Sequence, residues 1–216
     1  MTFTDRTEAG RRLAKVLEGR VDPPAVVLAL PRGGVPVAVE IAGALGAALD
    51  IIGVRKVGAP GRPQFGVGAV TEDGGVFLDQ RTIAEFGISR EDVAATVETR
   101  RREVAHDVAR YRGDRPMIDV EGRTVIVVDD GLATGVTAKA AVRAVRHQGA
   151  ERVLLAVPVC STEGRNDLAR DADEVVCLLV PEHFLAVGQW YRDFAQVTDD
   201  EVLGALAEAG QAHGVP

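Results

Sequence analysis

The sequence predicts an α/β fold, a parallel twisted sheet with helices on both faces. Two observations carry that expectation. Short apolar runs rich in β-branched residues alternate with segments of helical period along most of the chain, the pattern of a parallel sheet with crossover helices. Turns rich in glycine or charge follow several of the strand-like runs, and such sheets bind ligands beyond the carboxyl ends of their strands. A length of 216 residues and a hydrophobic share of 46% suit one globular domain over 1–216.

In chain order, residues 5–18 place Ala9, Leu13, Val16 and Leu17 on one face of a helix. Residues 25–30 read as a strand, Pro31-Arg32-Gly33-Gly34 as a turn, and residues 35–45 as a helix. A second strand at 49–54 would leave Arg55 and Lys56 just beyond its end. Residues 57–66 contain Gly58, Pro60, Gly61, Pro63 and Gly66, a density that predicts a loop with no regular element. Residues 67–70 and 75–78 flank Glu72-Asp73-Gly74 as a β-hairpin. Ser89 begins a helix that runs to about Tyr111, with Asp92 completing a capping box. It dominates a helical insertion over 80–115. Strands at 124–128, 152–158 and 174–180 alternate with helices at 136–147 and 162–170. The tail carries Phe184, Trp190, Tyr191 and Phe194 before a last helix at 199–209.

Composition excludes several classes of function. A net charge of −7 argues against a general binder of nucleic acid or anionic membranes, which needs a basic surface. The longest apolar stretch, residues 35–54, is interrupted by Glu40 and Asp50, so no bilayer span is expected. Cys160 and Cys177 match no metal-ligand spacing and are expected as buried free thiols, which suits a reducing cytoplasm. Ser89 and Ser161 are the only serines, and neither lies in the Gly-x-Ser-x-Gly pattern of a hydrolase elbow.

The most informative segment is Val125 to Thr137. Four apolar residues form a buried strand, and Asp129 and Asp130 stand at its carboxyl end. The turn Gly131-Leu132-Ala133-Thr134-Gly135-Val136-Thr137 then leads into a helix. Free N–H groups at a helix N-terminus make an anion site. Two carboxylates beside it would repel a bare phosphate, but they suit a phosphorylated sugar, whose hydroxyls they can accept. A P-loop is ruled out, because Val136 stands where its lysine would be required.

This segment resembles, residue by residue, the phosphoribosyl-pyrophosphate (PRPP) motif of the type I phosphoribosyltransferases. Looser likeness at Arg32-Gly33-Gly34, Arg55-Lys56 and the tail from Phe184 to Tyr191 points to an uncharacterised bacterial branch of that family. The resemblance implies a type I phosphoribosyltransferase fold and magnesium-dependent transfer of phosphoribosyl from PRPP to a small-molecule acceptor, with release of pyrophosphate. It also implies that residues 131–137 hold the 5′-phosphate. Asp129 and Asp130 would accept from the ribose hydroxyls and help place Mg2+, through water or directly. Arg32, Gly33 and Gly34 resemble the pyrophosphate loop, where a non-proline cis peptide is expected at Arg32–Gly33 or nearby. Arg55 and Lys56 would neutralise pyrophosphate. Residues 57–66 correspond to a mobile lid, residues 181–197 to a hood over the acceptor, and a homodimer in the cytoplasm is expected. Ala133 replaces the acidic residue found in members that act on 6-oxopurines, which counts against hypoxanthine and guanine. Two other functions stay open at this point: a non-catalytic sensor of PRPP or a nucleotide, and a hydrolase of a related phosphosugar.

Overall fold

The architecture is described by a computed structural model over residues 2–212. In chain order it runs α1 (Arg6–Leu17), β1 (Ala25–Ala29), α2 (Gly34–Leu45), β2 (Ala48–Ile51), β3 (Val54–Ala59), β4 (Arg62–Thr71) and β5 (Val76–Leu78). It continues with α3 (Gln80–Glu85), α4 (Arg90–Arg112), β6 (Thr124–Val128), α5 (Val136–His147), β7 (Arg152–Val159), α6 (Thr162–Leu168), β8 (Glu174–Leu179) and α7 (Asp199–Ala212). A short 3-10 turn spans Val187–Trp190.

The large sheet has the order β2-β1-β6-β7-β8 and is parallel throughout. Alternation along its central strands feeds two cores. Val27, Ala29, Ile126 and Val128 face one layer with Leu13, Leu17, Val37 and Ile41 from α1 and α2, joined by Val202 and Leu206 from α7. Val26, Leu28, Val125 and Val127 face the other, against Ala138, Ala141, Val142 and Val145 of α5. Both faces are therefore buried, as the apolar runs require. Ser89 caps α4 through its hydroxyl, which accepts from the N–H of Asp92 at 3.1 Å, as the capping motif predicts. Cys160 is buried, Cys177 half-buried, and both are free thiols. Among the described residues no helix is long and apolar enough to cross a membrane.

Two expectations for residues 49–66 are overturned. The strand expected at 49–54 ends at Ile51, and Val54 already belongs to a second sheet, so Arg55 and Lys56 lie inside β3. The loop expected at 57–66 is an antiparallel hairpin of β3 and β4, closed at Pro60–Gly61. Its glycines fit the ladder because register shifts at Gly58 absorb one and Gly58 pairs with Gly66. The downstream pairing of β4 with β5 matches the predicted hairpin, Val70 opposite Val76. The small sheet β3-β4-β5 shares its own core with α4, built on Val57, Val67, Val70 and Val104.

A buried charge cluster joins the two sheets. Arg112, at the end of α4, is 4% exposed and donates to Asp50 at 3.2 Å, to Glu72, and to the Ile51 carbonyl at 2.7 Å. Glu72 also accepts from the N–H of Gly53 at 2.9 Å, and Asp50 from that of Ile118 at 3.2 Å. The polar groups of three segments are thus satisfied together, and removal of the cation strands two carboxylates. Arg112→Met is expected to lower the unfolding free energy by about 3–5 kcal/mol, read by urea denaturation. Adding Asp50→Asn and Glu72→Gln to that variant should recover part of the loss.

Candidate active site

The carboxyl end of β6 carries the site. The turn after it is pinned to the end of β7: the Leu132 N–H donates to the Val159 carbonyl at 2.9 Å, and the Ser161 N–H to the Leu132 carbonyl at 2.9 Å. The Ser161 hydroxyl donates to the Ala133 carbonyl at 2.6 Å. Gly135 takes a left-handed conformation, φ 74°, as the N-cap of α5 and supplies no side-chain cap. Among the described residues no acceptor takes the N–H groups of Ala133, Thr134, Gly135, Val136 and Thr137; the first helical donor bonded is Lys139, to the Gly135 carbonyl at 2.8 Å. Those donors, with the hydroxyls of Thr134 and Thr137 beside them, form an open anion cradle.

Asp129 and Asp130 stand at its rim, half-buried. One Asp129 oxygen, Oδ1, accepts from the Asp130 N–H at 2.9 Å. Asp130 Oδ2 accepts from Arg6 Nε at 2.8 Å. Among the described residues, Asp129 Oδ2 and Asp130 Oδ1 meet no donor from another side chain or peptide. Burial, and then the neighbouring Asp130 charge, holds Asp129 well above the usual carboxylate range. Burial raises Asp130 too, against the pull of Arg6. The chemistry on offer is two hard oxygen donors one residue apart. They fit a vicinal diol, or a magnesium ion that draws its remaining ligands from water and substrate oxygens. No group of three or more His, Cys, Asp or Glu suited to a metal occurs among the described residues.

The turn after β1 lies against this pair. The Pro31–Arg32 peptide is cis, one bond before the expected place. A Cβ on Gly33 would stand 2.2 Å from Asp130 Oδ2 and displace that carboxylate, while one on Gly34 would stand 2.5 Å from the Val128 carbonyl oxygen, so Gly34 excludes any side chain. The Gly34 N–H is used internally, donating to the Leu30 carbonyl at 3.0 Å, while those of Arg32 and Gly33 donate to no described residue. The Arg32 guanidinium turns to Asp199 at the start of α7, 3.6 Å away, where Arg110 and Tyr111 also bind.

The two basic residues of β3 separate, as neighbours in a strand must. The Lys56 stem lies over Gly66, whose absent Cβ would meet Lys56 Cδ at 2.9 Å and Val136 at 3.6 Å, so Lys56 runs beside the start of α5. Arg55 points to the other face and pairs with Asp107 of α4, its Nε 2.8 Å from Oδ2. It is not brought into the group. Arg100 and Arg102 are paired along α4 with Glu103 and Glu98, a solvated face.

In the hood, Glu182 and His183 are exposed. The aromatic residues pack on one another: Phe3 lies 5.4 Å from Tyr191, Tyr191 stacks on Phe194 at 5.1 Å, and Arg6 covers Phe194 at 3.9 Å. The Tyr191 hydroxyl donates to the Asp130 carbonyl, and burial raises its pKa. Three participants escaped sequence reasoning: Phe3, Arg6 and Asp199. Arg6 alone left a signal, a cation in the first turn of a helix, where the dipole disfavours it.

Over 207 residues the chain is 44% identical to Mycobacterium tuberculosis proteins provisionally named phosphoribosyl transferases, covering 96% of this chain but 47% of theirs. The chain thus spans about half the length of these curated relatives. The crystal structure of TT1426 from Thermus thermophilus superposes with a TM-score of 0.83 at 44% identity, over 96% of this chain and 99% of that one. The AQ2163 protein of Aquifex aeolicus shares the fold, with a TM-score of 0.53 at 13% identity over 93% of this chain and 86% of that one. The sequence profile of the phosphoribosyl transferase domain matches residues 7–195, from the first helix through the amide turn to the hood. A match of that extent means that the chain belongs to the phosphoribosyl transferase family.

Proposed function

We propose that the protein transfers phosphoribosyl from PRPP to a small-molecule acceptor and releases pyrophosphate in a magnesium-dependent reaction. One observation carries this reading: an open cradle of N–H groups adjoins two carboxylates that each keep one oxygen without a donor. In this reading the N–H groups of residues 133–137 and the hydroxyls of Thr134 and Thr137 hold the 5′-phosphate. Asp129 Oδ2 and Asp130 Oδ1 accept from the ribose hydroxyls and would hold magnesium. That ion, when bound, neutralises charge on the departing pyrophosphate. The N–H groups of Arg32 and Gly33 and the Lys56 ammonium serve the pyrophosphate, and Arg32 joins them on leaving Asp199.

Departure of pyrophosphate leaves positive charge on the ribose ring. On this reading the two carboxylates carry the charge that favours it, and they are set in place before the reaction. Proton handling within the turn is absent, because Ala133 offers no side-chain acid and its carbonyl is engaged by Ser161. Hypoxanthine and guanine are therefore expected to be poor acceptors. A panel of nucleobases and other small acceptors, assayed with PRPP and magnesium for pyrophosphate release, identifies the one used. Efficient turnover of either 6-oxopurine would refute the reading of Ala133, and PRPP binding without turnover of any acceptor would favour a sensor.

The paired carboxylates give a second expectation, with a definite sign. The folded state holds the Asp129 proton more tightly than the unfolded chain does. The contribution of this group to stability is thus greatest at low pH and falls as pH rises from the ordinary carboxylate value to the raised one. Asp129→Asn should flatten that slope and raise the ligand-free Tm at neutral pH by about 2–4 °C. The same variant should lose most of the Tm increase that millimolar PRPP with magnesium gives the wild type. An Asp129→Asn protein that still responds fully to PRPP would remove Asp129 from the sugar site.

A further inference from the structure

Arg6 is built into the site without being explained by the helix it begins. It stands in the first turn of α1, where the helix dipole repels a cation. Its side chain is 11% exposed, so it has also given up most of its water. An ion pair of this depth contributes little net stability once desolvation is counted. Yet the guanidinium is fixed on three sides. Nε donates to Asp130 Oδ2 at 2.8 Å, Nη1 donates to the Ala195 carbonyl at 2.8 Å, and the plane lies 3.9 Å from the Phe194 ring centre.

The partner, Asp130, is gripped from other directions as well. Its carbonyl accepts from the Tyr191 hydroxyl, and the missing side chain of Gly33 leaves the space that Oδ2 occupies. Phe3 ties the two ends of this clamp together: its N–H donates to the Trp190 carbonyl at 2.7 Å, and its carbonyl accepts from Arg192 at 2.9 Å. The first residues of the chain and the segment around 190–195 therefore meet over one carboxylate. They occupy its Oδ2 and leave Oδ1 clear.

We infer that Arg6 is a positioning residue for sugar binding: seated between Phe194 and Asp130, it fixes the Asp130 carboxylate so that Oδ1 faces the ribose hydroxyls. The inference rests on the phosphoribosyl reading above. It assigns the hood a task at the sugar, in addition to any contact with the acceptor. Without Arg6, Asp130 is free to rotate about its side-chain bonds, and the second half of the diol site is no longer held ready.

The test is a double-mutant cycle on the full chain, with PRPP and magnesium titrated calorimetrically into wild type, Arg6→Ala, Asp130→Asn and the double variant. Arg6→Ala is expected to weaken PRPP by about tenfold, and Arg6→Lys to recover part of that. In the Asp130→Asn background, Arg6→Ala should weaken PRPP no further. An equal loss in both backgrounds would make Arg6 merely structural and overturn the inference, as would tighter binding by Arg6→Ala, the mark of a plug. Should Arg6→Ala not fold, Arg6→Gln takes its place in the cycle, judged by the same outcomes. A wild-type protein that ignores PRPP overturns the ligand assignment itself, and the inference with it, before any variant is compared.

Discussion

The ligand end of this protein depends on how closely two neighbouring strands deliver their turns. β1 and β6 pair in register, Ala29 beside Val128, so the chain segments leaving them emerge side by side. One must pass across the other without a side chain between them. Gly34 lies so close to the last carbonyl of β6 that no Cβ fits, and Gly33 so close to the carboxylate of Asp130 that a Cβ there would displace it. The sequence Gly33-Gly34 and the sequence Asp129-Asp130 are therefore one feature divided between two strands. A methyl group on Gly33 would displace the carboxylate of Asp130, and one on Gly34 would push the turn off the sheet.

Charge is the second constraint. Adjacent carboxylates in a half-buried site repel, and the protein accepts that repulsion where an all-apolar strand end would be more stable. Such local costs mark functional sites. Arg6, far from the pair in sequence order, is drawn directly onto it. Arg32 is engaged with Asp199 and Arg55 with Asp107. Arg32, in the turn proposed for pyrophosphate, is thus held by a neighbouring acid, while Arg6 already compensates part of the carboxylate pair.

The large sheet and the central motif were legible because they obey local rules. Buried parallel strands are unbroken apolar runs, and the amide turn announces itself by glycines and threonines at a helix start. The small sheet was misread at 57–66 because glycine and proline weaken local propensity, while tertiary pairing overrides it. Gly68 packs so tightly under the Phe77 carbonyl that only glycine serves, which from sequence looks like a breaker. Arg6 and Asp199 were invisible for a different reason. Each acts through a contact more than a hundred positions away in the chain, Arg6 with Asp130 and Asp199 with Arg32, and no spacing rule connects such residues. The aromatic cluster was seen as a group, but its internal stacking was not.

The buried Arg112 cluster sets how the small sheet can act on the site. It holds the hairpin at its base, through Glu72 beyond the end of β4 and Gly53 before β3. The tip, Pro60 and Gly61, is exposed, and among the described residues no buried ion pair anchors it; Phe65 packs on Phe86, 5.8 Å between ring centres, with both rings about half open to water. A ribbon fixed at one end bends about that end. Lys56 lies close to the fixed end and already beside α5, so bending would carry it a short distance and the tip a long one. On the proposed reading, electrostatic service to pyrophosphate would fall to the base of the hairpin and coverage of the site to its tip.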